Sequence, residues 1–214
     1  METDPDAVAR LLHDDARLCD DVLYLGIGDC KLRLRSNSTQ LLGVLRRYFS
    51  HVVSTAQSPD IDVIAVERDV VDVDADFIDW KREPGKTGRK DAYLDIPEGR
   101  LVRKVRTGML FLQSDRHRIA AGPCIEYDNQ VINFINAQYM NWLQQRSWLI
   151  CHAAALVCQG RGFAIAGHSG GGKSTLMLNL MDHESVSYIT NDRLFIKKRA
   201  GETRAVGIPK LPRI

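Results

Sequence analysis

One eight-residue run carries most of the recognisable chemistry in this chain: Gly167-His168-Ser169-Gly170-Gly171-Gly172-Lys173-Ser174, of the form G-x-x-x-x-G-K-S/T. A triphosphate needs several backbone N–H groups converging on its oxygens, and glycines let the chain wrap that closely. A helix that starts at the end of such a loop turns its unpaired N–H groups and positive dipole end toward the phosphates. Lys173 is long enough to span β- and γ-phosphates, and the Ser174 hydroxyl can take one position around Mg²⁺. His168 reads as a solvent-facing variable position, and Thr175 as the next residue of the binding set. The flanks fit: Phe163-Ala164-Ile165-Ala166 is an apolar, β-leaning run, and Thr175 to Met181 has a helical pattern. A glycine-rich turn with an incidental lysine is the competing account, and those flanks weigh against it. ATP with Mg²⁺ is therefore the expected ligand.

Two neighbouring segments must position this loop. Upstream, Leu149 to Val157 is an apolar run with His152 near its start, and Cys158-Gln159-Gly160-Arg161-Gly162 turns it back as a hairpin into the loop strand. Downstream, Val186 to Ile196 is a β-like run, the polar pair Asn191-Asp192, and a second apolar run. An acidic residue at the end of a neighbouring strand is where nucleotide enzymes of this type hold Mg²⁺ or act on the acceptor. Asp192 can deprotonate an acceptor hydroxyl, hold Mg²⁺, or simply cap a turn. His152 is read either as a residue beside the γ-phosphate or as a satisfied structural histidine.

The order of His152, the hairpin, the sequence G-x-S-G-x-G-K-S and an Asn-Asp strand end resembles the catalytic domain of HPr kinase/phosphorylase and HPr-kinase-related kinases. More remotely it is similar to the nucleotide core of ATP-dependent phosphoenolpyruvate carboxykinase. The resemblance covers about Leu149 to Ile196. In it His152, Gly167, Ser169, Gly170, Gly172, Lys173, Ser174 and Asp192 fall on the family's motif positions. It implies a kinase moving the ATP γ-phosphate to a hydroxyl, with Lys173, Asp192 and His152 as catalytic residues and Mg²⁺ on Ser174 and Asp192. Asn191 stands where the family usually has an aspartate. An amide cannot act as a base, which argues against the reverse, phosphate-releasing activity of bifunctional members.

Composition sets outer bounds. With 214 residues, 44% hydrophobic and 26% charged, the chain can bury one substantial core or two small ones. A net charge of +2 calls for neither nucleic acid nor membrane partners. Cys19, Cys30, Cys124, Cys151 and Cys158 are odd in number and widely spaced, the pattern of reduced thiols in a cytoplasm. Met1 to Asp6 is acidic and lacks a signal segment, and no apolar stretch approaches 18 residues. The expected partners are a nucleotide and an unidentified phospho-acceptor, protein or small molecule; self-association is left open.

The remaining elements follow from periodicity. Ala7 to Asp15 reads as a short helix after Pro5, and Val22–Ile27 with Cys30–Arg35 as strands around Gly28-Asp29. Ser38 or Thr39 caps a helix through Phe49, followed by a strand over Ile61–Glu67. Trp80 to Asp91 reads as a basic loop. Its Gly85-Lys86-Thr87 is either a solvated turn or a lid whose Lys86, Arg89 and Lys90 reach an anion. Arg100, Arg103, Lys104 and Arg106 read as the charged outer face of an antiparallel meander, with strands near 109–113 and 117–121. The clearest helix is expected over Val131–Leu149.

The whole reads as an α/β protein in three parts. Residues 1–125 form an α+β region, 126–148 a connecting core helix, and 149–214 a P-loop kinase core of the HPr kinase type. That core is expected to be truncated at its C-terminus, lacking much of the adenine pocket, because such sheets normally carry more strands and helices. The expected function is an ATP-dependent phosphotransferase. The alternative is a nucleotide-binding regulatory or assembly module with little turnover.

Overall fold

Short-range chemistry sets the first elements of the structure, a computed structural model that describes residues 4–13, 15–55, 58–81, 84–85, 87–168 and 170–210. Helix α1 (Pro5–His13) begins at the proline, earlier than expected. Proline lacks an N–H that would be unpaired in the first turn anyway, and the Asp4 carboxylate accepts from Ala7 N at 3.1 Å. Strands β1 (Leu23–Ile27) and β2 (Cys30–Ser36) form a hairpin closed by Gly28-Asp29. Helix α2 (Thr39–Tyr48) is capped by the Ser38 side chain, which accepts from Leu41 N. It buries Leu41, Leu42 and Leu45 completely.

The chain divides into two compact units, Met1–Gln138 and Tyr139–Ile214, with the division inside helix α3 (Asp128–Gln145). The N-terminal unit is a mixed α/β layer. After β3 (Ile61–Glu67) come β4 (Ile78–Asp79), β5 (Asp91–Ile96), β6 (Gly99–Lys104), β7 (Leu110–Ser114) and β8 (Arg118–Gly122). The eight strands lie in the order β1-β2-β3-β8-β7-β6-β5-β4. Pairing is parallel at β2–β3 and β3–β8 and antiparallel elsewhere. Val8, Ala9 and Leu12 of α1 join Leu101, Leu110, Leu112, Ile119 and Ala121 in a core on one face. On the opposite face, Phe134 of α3 meets Phe111 with ring centroids 5.0 Å apart.

Three expectations need correction here. The basic residues of the meander do not share one outer face, because strand alternation separates Arg103 from Arg100 and Lys104. Arg103 instead donates to Val73 O at 2.7 Å and lies 3.8 Å over the Phe77 ring. Residues 105–108 form a turn, with Thr107 N and Gly108 N both donating to Lys104 O. Helix α3 ends at Gln145, and Leu149 already belongs to the next strand. Lys86 lies outside the described residues.

The C-terminal unit is built around one long strand, β9 (Leu149–Cys158). It pairs antiparallel with β10 (Arg161–Ala166) through the two-residue turn Gln159-Gly160. Helix α4 (Lys173–Met181) follows, then β11 (Val186–Thr190), β12 (Arg193–Arg199) and β13 (Glu202–Gly207). On its other edge, β9 pairs with β11 along its second half and with β12 along its first. β13 pairs with β12. Alternation along β9 yields two small cores. Ala154 and Leu156 pack with Met177 of α4, whereas Ala153 and Ala155 pack with Leu194. Among the described residues, no helix is long and apolar enough to cross a membrane.

Candidate functional site

The glycine-rich run occupies the turn between a strand and a helix, the setting its chemistry needs. β10 ends at Ala166 and α4 begins at Lys173. Gly170 (φ 79°) and Gly172 (φ 75°) hold left-handed conformations that a side chain would strain, and space beside both is open. Gly171 N donates to His168 O at 3.1 Å, which tightens the loop. Gly172 is the N-cap residue and supplies no side-chain cap, so the first-turn N–H groups of α4 face the loop without one. Lys173 Nζ donates to the carbonyl oxygens of Gly167 (2.8 Å) and His168 (2.9 Å). His168, Ser174 and Thr175 are exposed. Ser169 lies outside the described residues.

His152 and Asp192 come together beside this loop. β11 and β12 run as one strand interrupted at Asn191-Asp192. The register shifts by one residue between Tyr188 and Thr190 and then continues through Arg193 opposite His152. Asp192 O accepts from Ala153 N at 3.2 Å, and Ala166, the last residue of β10, pairs with Ala153 from the other side. Ala166, Ala153 and Asp192 thus form one row across three strands. Two strand spacings of about 4.8 Å put Asp192 about 10 Å from the loop's entry.

Alternation places His152 on the same face as Ala154 and Leu156, which α4 covers. A regular pleat would turn Asp192 to the opposite face, with Ala153. At the bend formed by Asn191-Asp192, the Asp192 carboxylate nevertheless reaches His152 Nδ1 at 3.1 Å. Its second oxygen lies 3.8 Å from Arg193 Nε, and its backbone N–H donates to Thr190 Oγ1 at 3.4 Å. His152 is 55% exposed and Asp192 35%, so both can meet a ligand.

Sequence reasoning missed the supports of this pair. Tyr188 Oη bonds to Asn191 Oδ1 (3.3 Å) and Lys210 O (2.9 Å), fixing the departure point of the bend. Tyr188 precedes Asn191 by three residues, and Arg193 follows Asp192 directly. The signal was adjacency alone, and only the interrupted strand gives it meaning.

Among the described residues, no three His, Cys, Asp or Glu side chains converge on a common point. A magnesium ion carried by a nucleotide does not require such a cage, since phosphate oxygens and water fill most of its octahedron. The exposed Ser174 hydroxyl at the start of α4 suits that role. No protein-family model matches the chain, and no curated protein matches it either.

Proposed function

We propose that the C-terminal unit is an ATP-dependent phosphotransferase site, moving a γ-phosphoryl group to a hydroxyl of a protein or small molecule. The observation that carries this reading is the His152–Asp192 pair at 3.1 Å, in the sheet row where the loop strand ends. A loop built only to hold nucleotide has no need of an exposed acid and imidazole beside it.

The residues divide the work. The glycine loop and the start of α4 receive the phosphates, and Lys173 exchanges its two loop carbonyls for phosphate oxygens. Ser174 would hold magnesium together with the nucleotide, and the ion would supply charge neutralisation on the transferring group. Asp192 accepts the proton of the acceptor hydroxyl as that oxygen bonds to the γ-phosphorus and the bond to the β–γ bridging oxygen breaks. His152 orients the carboxylate. This pairing favours proton handling by Asp192 over metal ligation, because one of its oxygens is already engaged.

A second reading, a nucleotide-binding regulatory module with little turnover, draws on Asn191. Its amide oxygen is tied to Tyr188 and adds no charge where the resembling kinases carry a second acid. Calorimetry with ATP and Mg²⁺ tests what the two readings share. A charge-assisted phosphate contact is worth about 1.5–3 kcal/mol, so Lys173→Ala is expected to weaken binding by about tenfold or more. Equal affinity in both proteins would remove the loop from function. Binding with no transfer to any hydroxyl acceptor would favour the regulatory module.

A further inference from the structure

The N-terminal unit contains a cavity of about 580 Å³ that the proposed phosphotransfer does not use, lying between α3 and the face of β5–β7. We propose that this cavity is a binding site for a small organic anion, a carboxylate or phosphate group carried on a planar apolar body.

Part of its wall is apolar and aromatic, and Gln113 and Asn133 add amides to the rest. Val102 and Phe111 face each other across β6 and β7, and Phe134 and Ala137 line the helix side. The Phe111 and Phe134 rings meet at 36°, a tilted pair that gives the pocket an aromatic wall. Thr107 Oγ1 donates to Gln130 Oε1 at 3.1 Å within the same lining.

The charge is one-sided. Lys104 is matched by Asp91 at 3.0 Å, so that pair adds no net charge to the lining. Lys90 and Arg106 are exposed in the same lining, and neither has an ion-pair partner among the described residues. Val105 N donates to Lys90 O at 3.1 Å, which holds the segments carrying the two cations side by side. A cavity with an apolar, partly aromatic wall, polar side chains on the rest of its lining and two uncompensated cations suits a ligand with an oxyanion head and a flat body. A volume of this size is that of small-molecule sites, about 300–1,000 Å³. Arginine's planar fork matches carboxylate and phosphate alike.

The test uses the full chain and three probes on one naphthalene position: 2-naphthoate, 2-naphthyl phosphate and the neutral 2-naphthamide, titrated by calorimetry. Saturable binding of at least one anion is expected, at least tenfold tighter than the amide, because a charge-assisted contact is at stake. The stronger of the two anions identifies the head group. Lys90→Gln combined with Arg106→Gln should erase the preference, and both positions are exposed, so the fold should tolerate the change. Lys173→Ala should leave naphthyl phosphate binding unchanged, which separates this cavity from the glycine loop. Absence of saturable anion binding, equal affinity for the amide, or a preference that survives the double substitution would overturn the proposal. Loss of naphthyl phosphate binding in Lys173→Ala would also overturn it.

Discussion

Asp192 sits between two basic groups, His152 Nδ1 at 3.1 Å and Arg193 Nε at 3.8 Å, yet keeps about a third of its surface open. That combination separates its two candidate roles by experiment. A carboxylate that handles the acceptor's proton contributes only in the transition state, whereas one that holds magnesium also contributes to nucleotide binding. Asp192→Asn is expected to lower the transfer rate by about 10²–10⁴, the usual worth of general acid–base help, while leaving Mg²⁺-dependent ATP affinity nearly unchanged. A parallel fall in affinity, measured by calorimetry, would instead make Asp192 a metal ligand. At this scale the glycine-rich turn between β10 and α4 was legible in the sequence because its glycines and its strand and helix flanks are local signals. The way Lys173 folds onto Gly167 and His168 was not, since backbone carbonyls carry no sequence signal.

Among the elements, hairpins and caps were readable from few residues. Ser38 caps α2 as expected, and Gly28-Asp29 closes the first hairpin. Strand β5 went unread because Asp91 and Asp95 put two charges into a six-residue run beside a basic loop. The two runs around Asn191-Asp192 were read as β-like, but the bulge that precedes them in β11 was not, because it is fixed by neighbours far along the chain. β13 shows how tightly those neighbours fit. A Cβ at Gly207 would overlap the Ile189 carbonyl oxygen and come within 2.9 Å of Thr190 Cβ. The β11 backbone next to the bend therefore rests directly on Gly207. Gly207→Ala is expected to destabilise the C-terminal unit by about 1–3 kcal/mol and to weaken phosphotransfer as the bend shifts. Urea unfolding followed by circular dichroism measures the first effect. An unchanged midpoint would mean that β13 does not brace the bend.

For the whole molecule, the sequence conveyed an α/β chain with its glycine-rich turn in the C-terminal part. It did not convey that the compact division falls within α3, nor that the N-terminal sheet carries eight strands. Both depend on long-range pairing that local periodicity cannot report. One such pairing, β2 with β3, also governs how the protein should respond to acid. Arg33 and Arg35 of β2 both donate to the Asp62 carboxylate of β3, Arg33 with both nitrogens near 3 Å. Burial pushes the Asp62 carboxyl up, but the bonds and charges of Arg33 and Arg35 outweigh it and hold it below the usual carboxylate range. A carboxyl depressed in the folded state contributes stability above its unfolded pKa of about 3.9 and loses it as pH falls through the folded value. Side chains on both strands are about one-third exposed, so solvent screening trims the contribution. Asp62→Asn removes the carboxylate and leaves two guanidinium groups side by side. It is expected to lower stability at pH 7 by about 1–2 kcal/mol, allowing for that screening. As pH falls through about 4, Asp62 of the unfolded chain takes up its proton first; the native carboxyl follows only at its lower value, where it comes to resemble the amide. The unfolding free energies of the two proteins should therefore converge in acid. Urea titrations at pH 7 and pH 3 decide the matter: a gap of the same size at both would show that Asp62 acts through packing and not through charge.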